Sequence, residues 1–487
     1  MSEFDPTDHF ATDRLDKRAA LVDDGVNPYP PAFDPDLTIG EFTDRFGDID
    51  AAALPDGTFR LGGRIRRFND LGSVAFLGIE DASGGVQLFL DEETDGFDLL
   101  DSLNRGDFVG GVGTPIRSNS GELSLHVDDL RVLTKALNHP PSEGLGEEGR
   151  LRNRPVAMWR DPLQSRLETR FEVISEIRSF LEAREFTEAD TTVLQNVYGG
   201  ANATPFETYC EAKDTEMYLR IATEIDLKKL VVGGFERVFE IGKVFRNEDI
   251  DTTHNPEFTM LEVYEAWADY EDMMELTEEL VCHLLDEVAD GTRRISYDGG
   301  TIDFSRAWDR TTMTEAIREH GGIDVTELSD EELRETALEH GGEFPGGFER
   351  GLGIMELFEA VAEPELTDPT FVIDHPQETT PLCKDHRSKD DRIERFELMV
   401  AGAELANSYT ELNDPVQQGD HFAAQLERLE AGDEEAHRMD EAFLQALGYG
   451  MPPTGGLGIG IDRLVMLLTD ATSIKEVLPF PMVNEAS

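Results

Sequence analysis

GFERVFEIGKVFRNEDIDTTHNPEFTMLEVYEAW, residues 234–267, is the stretch whose reading decides the fold. Val238, Phe239, Ile241, Val244 and Phe245 are β-branched or aromatic, and Phe258 to Tyr264 resumes that character, so two strands are predicted. Between them NEDIDTTHNP supplies the Asp, Asn and Pro that punctuate a turn. Side chains alternate along a strand, which puts Phe258, Met260, Glu262 and Tyr264 on one face. A core strand buries a carboxylate or a phenol only with a partner. That face is therefore read as the floor of a site.

Taken alone, the pattern fits a hairpin in any antiparallel sheet. FRNE at 245–248 followed by HNPEFT at 254–259, however, resembles motif 2 of the class II aminoacyl-tRNA synthetases, in the form carried by lysyl-tRNA synthetases. The resemblance implies an α+β protein, an N-terminal OB-fold β-barrel followed by a class II catalytic domain with an antiparallel sheet flanked by helices. It implies ATP as a substrate. Arg246 would bridge the amino-acid carboxylate and the α-phosphate, since a planar guanidinium fork suits both. Glu248 and His254 would join it in the ATP site, His254 at the distal phosphates, with Phe258 stacked on the base. GLGIGIDR at 456–463 is similar to motif 3 and adds Arg463 as the second catalytic cation, on the γ-phosphate. Gly456, Gly458 and Gly460 would let backbone approach the ligand. A dinucleotide loop competes for this run, but no βαβ unit follows it.

RFELMVAGAELANSYTELNDP, residues 395–415, is the second informative stretch. Counting by two puts Asn407, Tyr409 and Glu411 on one face. Glu397 keeps that phase and Glu404 leaves it, so a bulge or kink is expected at Gly402. Carboxylates in such a row need cations. By resemblance, Glu397 and Glu404 hold Mg2+, and Glu411 with Tyr264 receives the ε-ammonium of lysine. Asn407, Tyr409 and Glu262 line the same pocket, and Gly200 and Glu224 receive the α-amino group. Glu224 also fits an ordinary acidic residue in a first helical turn. Acidic contacts at the two ends of a long zwitterion select a cationic amino acid; ornithine or another close analogue stays open. Four departures from the family stand out: Thr192 and Thr223 replace prolines, Asp226 replaces an aromatic residue, and Thr380 stands for a serine.

Upstream, residues 7–25 read as a helix closing at Gly25, and Ile39 to Phe46 as a second, within an N-terminal extension spanning 1–57. Residues 58–137 switch to period two in five short runs, which predicts a small barrel. Such barrels bind oligonucleotides on one face, and Arg60, Arg64, Arg66 and Arg67 form a basic stripe, although a purely structural barrel fits as well. The resemblance makes it an anticodon-binding domain, with Phe76, Gln87 and Glu122 on the bases. A Pro/Gly-rich linker at 138–164 leads to a catalytic domain at 165–487, with an acidic helical insertion near 320–350. Arginines crowd 150–178, for a subunit interface or tRNA phosphate. Phe171, Ile174, Ile177 and Leu181 fall at helical spacing for a core.

The chain has 487 residues, 43 basic against 102 acidic, a net of −59, with 39% hydrophobic. The acid is spread throughout and the hydrophobic content supports a folded core, so the charge reads as salt adaptation, where screening tames repulsion. No apolar run reaches spanning length. Three scattered cysteines, Cys210, Cys282 and Cys383, fit a reducing cytoplasm without disulfides or zinc. Together with what the resemblance implies, namely a homodimer acting on L-lysine, ATP and tRNA-Lys, the expectation is a cytoplasmic protein away from membranes. Two rivals are a paralogue that lysylates a protein, and a non-catalytic tRNA-binding relative.

Overall fold

A computed structural model describes residues 9–118, 121–140, 145–159, 162–431 and 437–483. The first residues of the N-terminal extension, parts of the linker (141–144 and 160–161) and Arg160 of the arginine-rich stretch lie outside the described residues. The chain divides into two compact units, Met1–Leu145 and Gly146–Ser487.

In the first unit, α1 (Thr12–Asp23) ends just before Gly25, whose φ of 81° lets the chain turn away. Helix α2 (Ile39–Phe46) starts at a capping box, with Thr38 and Glu41 satisfying each other's backbone N–H groups. Five strands follow: β1 (Phe59–Asp70), β2 (Val74–Asp81), β3 (Gly84–Asp91), β4 (Phe108–Arg117) and β5 (Leu123–Thr134). They close into a barrel in the order β1-β2-β3-β5-β4. Period two accounts for it: Leu61, Ile65, Ala75, Leu77, Leu88 and Leu125 alternate inward and are buried.

The second unit is built on an eight-stranded sheet, with β6 (Thr187–Glu188), β7 (Arg237–Phe245), β8 (Glu257–Ala266), β9 (Asp309–Thr312), β10 (Thr370–Ile373), β11 (Arg395–Val400), β12 (Ala403–Thr410) and β13 (Thr454–Gly460). Their order is β9-β10-β11-β12-β13-β8-β7-β6, antiparallel except for the parallel pairs β9/β10 and β6/β7 at the two edges. Helices α3 (Leu163–Glu182), α5 (Tyr270–Val288) and α8 (Ile461–Leu468) share one large core with the sheet. Helix α4 (Glu224–Val232) packs with a second core that includes Tyr264 and Tyr409. Met313, Ile317, Leu333, Leu357 and Phe358 form a third, with α6 (Asp330–Glu339) and α7 (Arg350–Val361) around it. No helix of the described residues is long and apolar enough to cross a membrane.

Two expectations change here. The 395–411 stretch is not one kinked strand: β11 and β12 form a hairpin whose turn residues, Ala401 and Gly402, both have positive φ (55° and 72°), the twist that suits a two-residue turn. Glu397 and Glu404 therefore sit on different strands, and the ladder's irregularity falls at Leu398/Met399. Phe171 is 57% exposed, although Ile177 and Leu181 of the same helix are fully buried. The described arginines of 150–178 mostly bind their own chain. Arg154 donates to the carbonyls of Lys475, Leu478 and Pro479, Arg166 pairs with Glu476, Arg170 with Asp462 and Arg178 with Glu188.

Candidate active site

Strands β8, β12 and β13 lie side by side at the centre of the sheet, with Glu262 opposite Gly458 and Asn407 opposite Gly458 on its other edge. That register gathers polar side chains from three strands over one floor. Above it is a cavity of 530 Å³. All fourteen catalytic-domain residues singled out from the sequence line it: Gly200, Glu224, Arg246, Glu248, His254, Phe258, Glu262, Tyr264, Glu397, Glu404, Asn407, Tyr409, Glu411 and Arg463.

One end is buried and internally bonded. Glu224 opens α4 and accepts a hydrogen bond from the Tyr409 hydroxyl (2.6 Å). Its other oxygen meets Lys228, one turn further along α4, and the same ammonium touches Glu411. Glu224 and Glu411, which the resemblance assigns to the two ammonium groups of the ligand, thus share the Lys228 ammonium. Glu262 accepts from the Thr223 N–H (2.8 Å) and the Tyr264 hydroxyl (3.1 Å). Burial, with Glu224 adding to it, pushes Glu262 up to about 7. Burial and the surrounding carboxylates likewise hold the Tyr264 and Tyr409 phenols well above the usual range. Gly456 makes room for this cluster: a Cβ there would lie 1.9 Å from Glu411 Oε1 and 2.7 Å from the Tyr264 ring. A glycine here leaves that space to the carboxylate.

The other end carries Arg246, Arg463 and His254. Arg246 lies 5.2 Å from the Phe258 ring centroid, its Nε buried and unpartnered. Arg463 donates to the carbonyl of Glu404 (2.6 Å) and to His254 Nε2 (3.2 Å), while His254 Nδ1 pairs with Asp251 at 2.8 Å. Arg170 reaches both Asp462 and Thr259, fixing the neighbours of Phe258 and Arg463. Beside Arg463, Glu404 is pushed up by burial first and Glu397 second. Burial and nearby carboxylates take Glu359 to about 8 and Glu363 to about 7. Arg395 binds Glu397 (2.5 Å) and Asn407 (3.1 Å).

Lys228, Arg395, Glu356 and Glu359 line or brace this cavity and were missed. Lys228 had a signal: it stands four residues after Glu224 on a helix, the spacing of a side-chain pair. Two of the family departures explain each other, because the Thr192 hydroxyl donates to the Asp226 carboxylate at 3.0 Å.

In the barrel unit, Phe76, Gln87 and Glu122 line one groove of 770 Å³ with Arg66 and Arg67. Phe76, Phe89 and His126 form a row of rings with centroids 5.3 and 5.1 Å apart. The basic stripe splits, however. Arg60 is tied to Asp36 and Arg64 covers Phe108, so of the four only Arg66 and Arg67 reach the groove.

A closed five-stranded barrel and an antiparallel sheet with two arginines over a carboxylate-lined floor define a synthetase of class II. The chain belongs to the family of class II tRNA synthetases (D, K and N), whose model matches residues 146–484, with an OB-fold nucleic acid binding domain matched at 59–133. The lysine–tRNA ligase of Methanoculleus marisnigri is 46% identical, covering 100% of this chain and 97% of its own length. Those of Saccharolobus solfataricus and Thermotoga maritima are 44% and 42% identical, over 96% and 98% of this chain and 97% and 96% of theirs.

Proposed function

We propose that the chain activates L-lysine with ATP and transfers the lysyl group to the 3′ end of tRNA-Lys. The observation that carries this is the two-ended cavity: buried carboxylates Glu224, Glu262 and Glu411 at one end, and at the other the guanidinium of Arg246, whose Nε has no hydrogen-bond partner among the described residues. The lysine carboxylate attacks the α-phosphorus, pyrophosphate leaves, and a ribose hydroxyl of the tRNA then takes the acyl group, releasing AMP. Arg246 holds the carboxylate against the α-phosphate, Arg463 and His254 take the distal phosphates, Glu248 joins them in the ATP site and Phe258 stacks on adenine. Gly200 and Glu224 take the α-amino group, Glu411 with Tyr264 the ε-ammonium, and Asn407, Tyr409 and Glu262 shape the pocket. Catalysis is positioning and charge neutralisation.

Among the described residues no group of three or more side chains is arranged to hold a metal by itself. Mg2+ is commonly held by one or two carboxylates plus substrate phosphates. Glu397 and Glu404 fit that role, being hard oxygen donors crowded with other carboxylates. When bound, the ion would neutralise phosphate charge. The barrel groove reads the anticodon, stacking bases on Phe76 and hydrogen-bonding them through Gln87 and Glu122. The enzyme works as a cytoplasmic homodimer in a salt-rich cell, where a net charge of −59 is screened.

The test is ATP–pyrophosphate exchange in molar KCl, with lysine, ornithine, arginine and aspartate. Exchange confined to lysine is expected. Folded protein that exchanges with none of them would sink the reading in favour of a non-catalytic relative.

A further inference from the structure

Lysine makes up nine of the 487 residues. One of them, Lys228, is completely buried at the amino-acid end of the cavity. Its ammonium touches Glu224 and Glu411 and lies 5.4 Å from the Tyr409 ring centroid and 5.9 Å from that of Phe443. Burial disfavours this charge, yet the two carboxylates outweigh it and hold the ammonium's pKa above the usual lysine value. With all groups ionised, Glu224 and Glu411 on Lys228, together with Glu262 in the same pocket, leave two net negative charges. Those match the two ammonium groups of a diamino acid whose own carboxylate is met by Arg246. Glu411 is where the balance is finest. It is fully buried, and burial, with Glu224 and Glu262 adding to it, pushes its pKa well above the usual carboxylate range against the opposing pull of Lys228; its Oε2 lies against Lys228, and its Oε1 is an acceptor without a hydrogen-bond partner among the described residues.

We propose that Lys228 is a specificity-determining counter-ion of the amino-acid pocket: by its contact with Glu411 it keeps that carboxylate ionised, so the pocket demands an ammonium at the far end of its ligand. This rests on the lysine-activation reading above. Without Lys228, a buried carboxylate lowers its energy by taking a proton. A neutral Glu411 acid tolerates an uncharged side-chain end almost as well as a cationic one. The alternative is a plain helix brace between Lys228 and Glu224, whose loss would weaken every amino acid alike.

The two are separated by measuring pyrophosphate exchange for Lys228→Met and Lys228→Arg, with norleucine, which has lysine's carbon chain but lacks its terminal ammonium, as competitor. K228M is expected to cut the preference for lysine over norleucine by at least about tenfold, as removing a charge partner from a buried site does. K228R is expected to keep it. A K228M protein that binds both amino acids less well but keeps the wild-type preference overturns the proposal and leaves the function standing. Wild-type protein without lysine-dependent exchange overturns the function instead.

Should K228M fail to fold, the wild-type protein decides by calorimetry of lysine binding in buffers of different ionisation enthalpy. Lys228, Glu224, Glu262, Tyr264, Tyr409 and Cys383 face Glu411. Since Glu262 stands at about 7, pH 8 is the condition of choice. Fewer than about 0.3 protons released per lysine is expected if Glu411 is already ionised. Release close to one proton overturns the proposal.

Discussion

The two ends of the catalytic cavity solve opposite problems. At the amino-acid end, Glu224, Glu262, Lys228, Tyr264 and Tyr409 are buried and bonded to one another before any ligand arrives. At the nucleotide end, Arg246 Nε has no partner, and Arg463 and His254 lean on each other at 3.2 Å. The first arrangement is preorganised, so selectivity costs little reordering on binding. The second leaves charge waiting for charge, which is how binding energy is directed to a transition state. On the function proposed here, recognition and chemistry are separated along one cavity, and substitutions can strike either end.

Arg246→Ala strikes the waiting charge. Exchange should fall about 10³-fold, the scale for removing one preorganised cationic donor. Because the Nε makes no bond to lose, the thermal midpoint should not drop; a drop of several degrees would show Arg246 to be structural. Gly456→Ala strikes the preorganised end. Its Cβ would sit 1.9 Å from Glu411 Oε1, and overpacking of this kind costs about 1–3 kcal/mol. The KM for lysine should rise about 10–100-fold while the KM for ATP barely moves. Equal changes in both would mean the two ends are not separable.

Legibility in the sequence divides along related lines. Strands β1 to β5 and β8 were readable because period two and turn residues are local signals. The polar floor was readable because Glu262 and Tyr264 break the rule for a buried strand. The β11/β12 turn was not, since Ala401 gives no sign of the positive φ that it adopts. Nor was the direction in which the 150–178 arginines point: a charged side chain's partner, such as Asp462 for Arg170, lies 292 residues away. Lys228 and Glu359 escaped for a third reason. Each resembles a solvated helical charge until the fold buries it.

Between these ends in size of effect stands pH. Glu262 has its pKa raised to about 7 by burial and by Glu224. Its neutral form is the one the empty fold favours, so its contribution to stability is full below the unfolded value near 4.5 and is lost as pH rises through about 7. Lysine binding should run the other way, because a cationic ligand prefers the ionised form. The KM for lysine is expected to fall about fivefold to tenfold between pH 6 and pH 8, following the ionised fraction. In Glu262→Gln that slope should disappear, whatever the absolute affinity.

The smallest effect sharpens the same point. Thr223 has an N–H where a proline would have none, and it donates that N–H to Glu262 at 2.8 Å, lowering the Glu262 pKa against the upward pull of burial. Thr223→Pro removes this donor and leaves the Tyr264 hydroxyl as the remaining one. Glu262 should then titrate at higher pH, raising the KM for lysine about threefold at pH 7, the lower end of what one hydrogen bond contributes. Proline substitutions stabilise only where the native φ suits them, and Thr223 sits at −100° rather than near −65°, so no gain in thermal midpoint is expected to mask the result. The decisive sign is where the penalty goes: it should vanish toward pH 9, where Glu262 is ionised in both proteins. A penalty that persists there would mean that Thr223 acts through the position of α4, and the amino-acid end would owe less to its hydrogen bonds than to its packing.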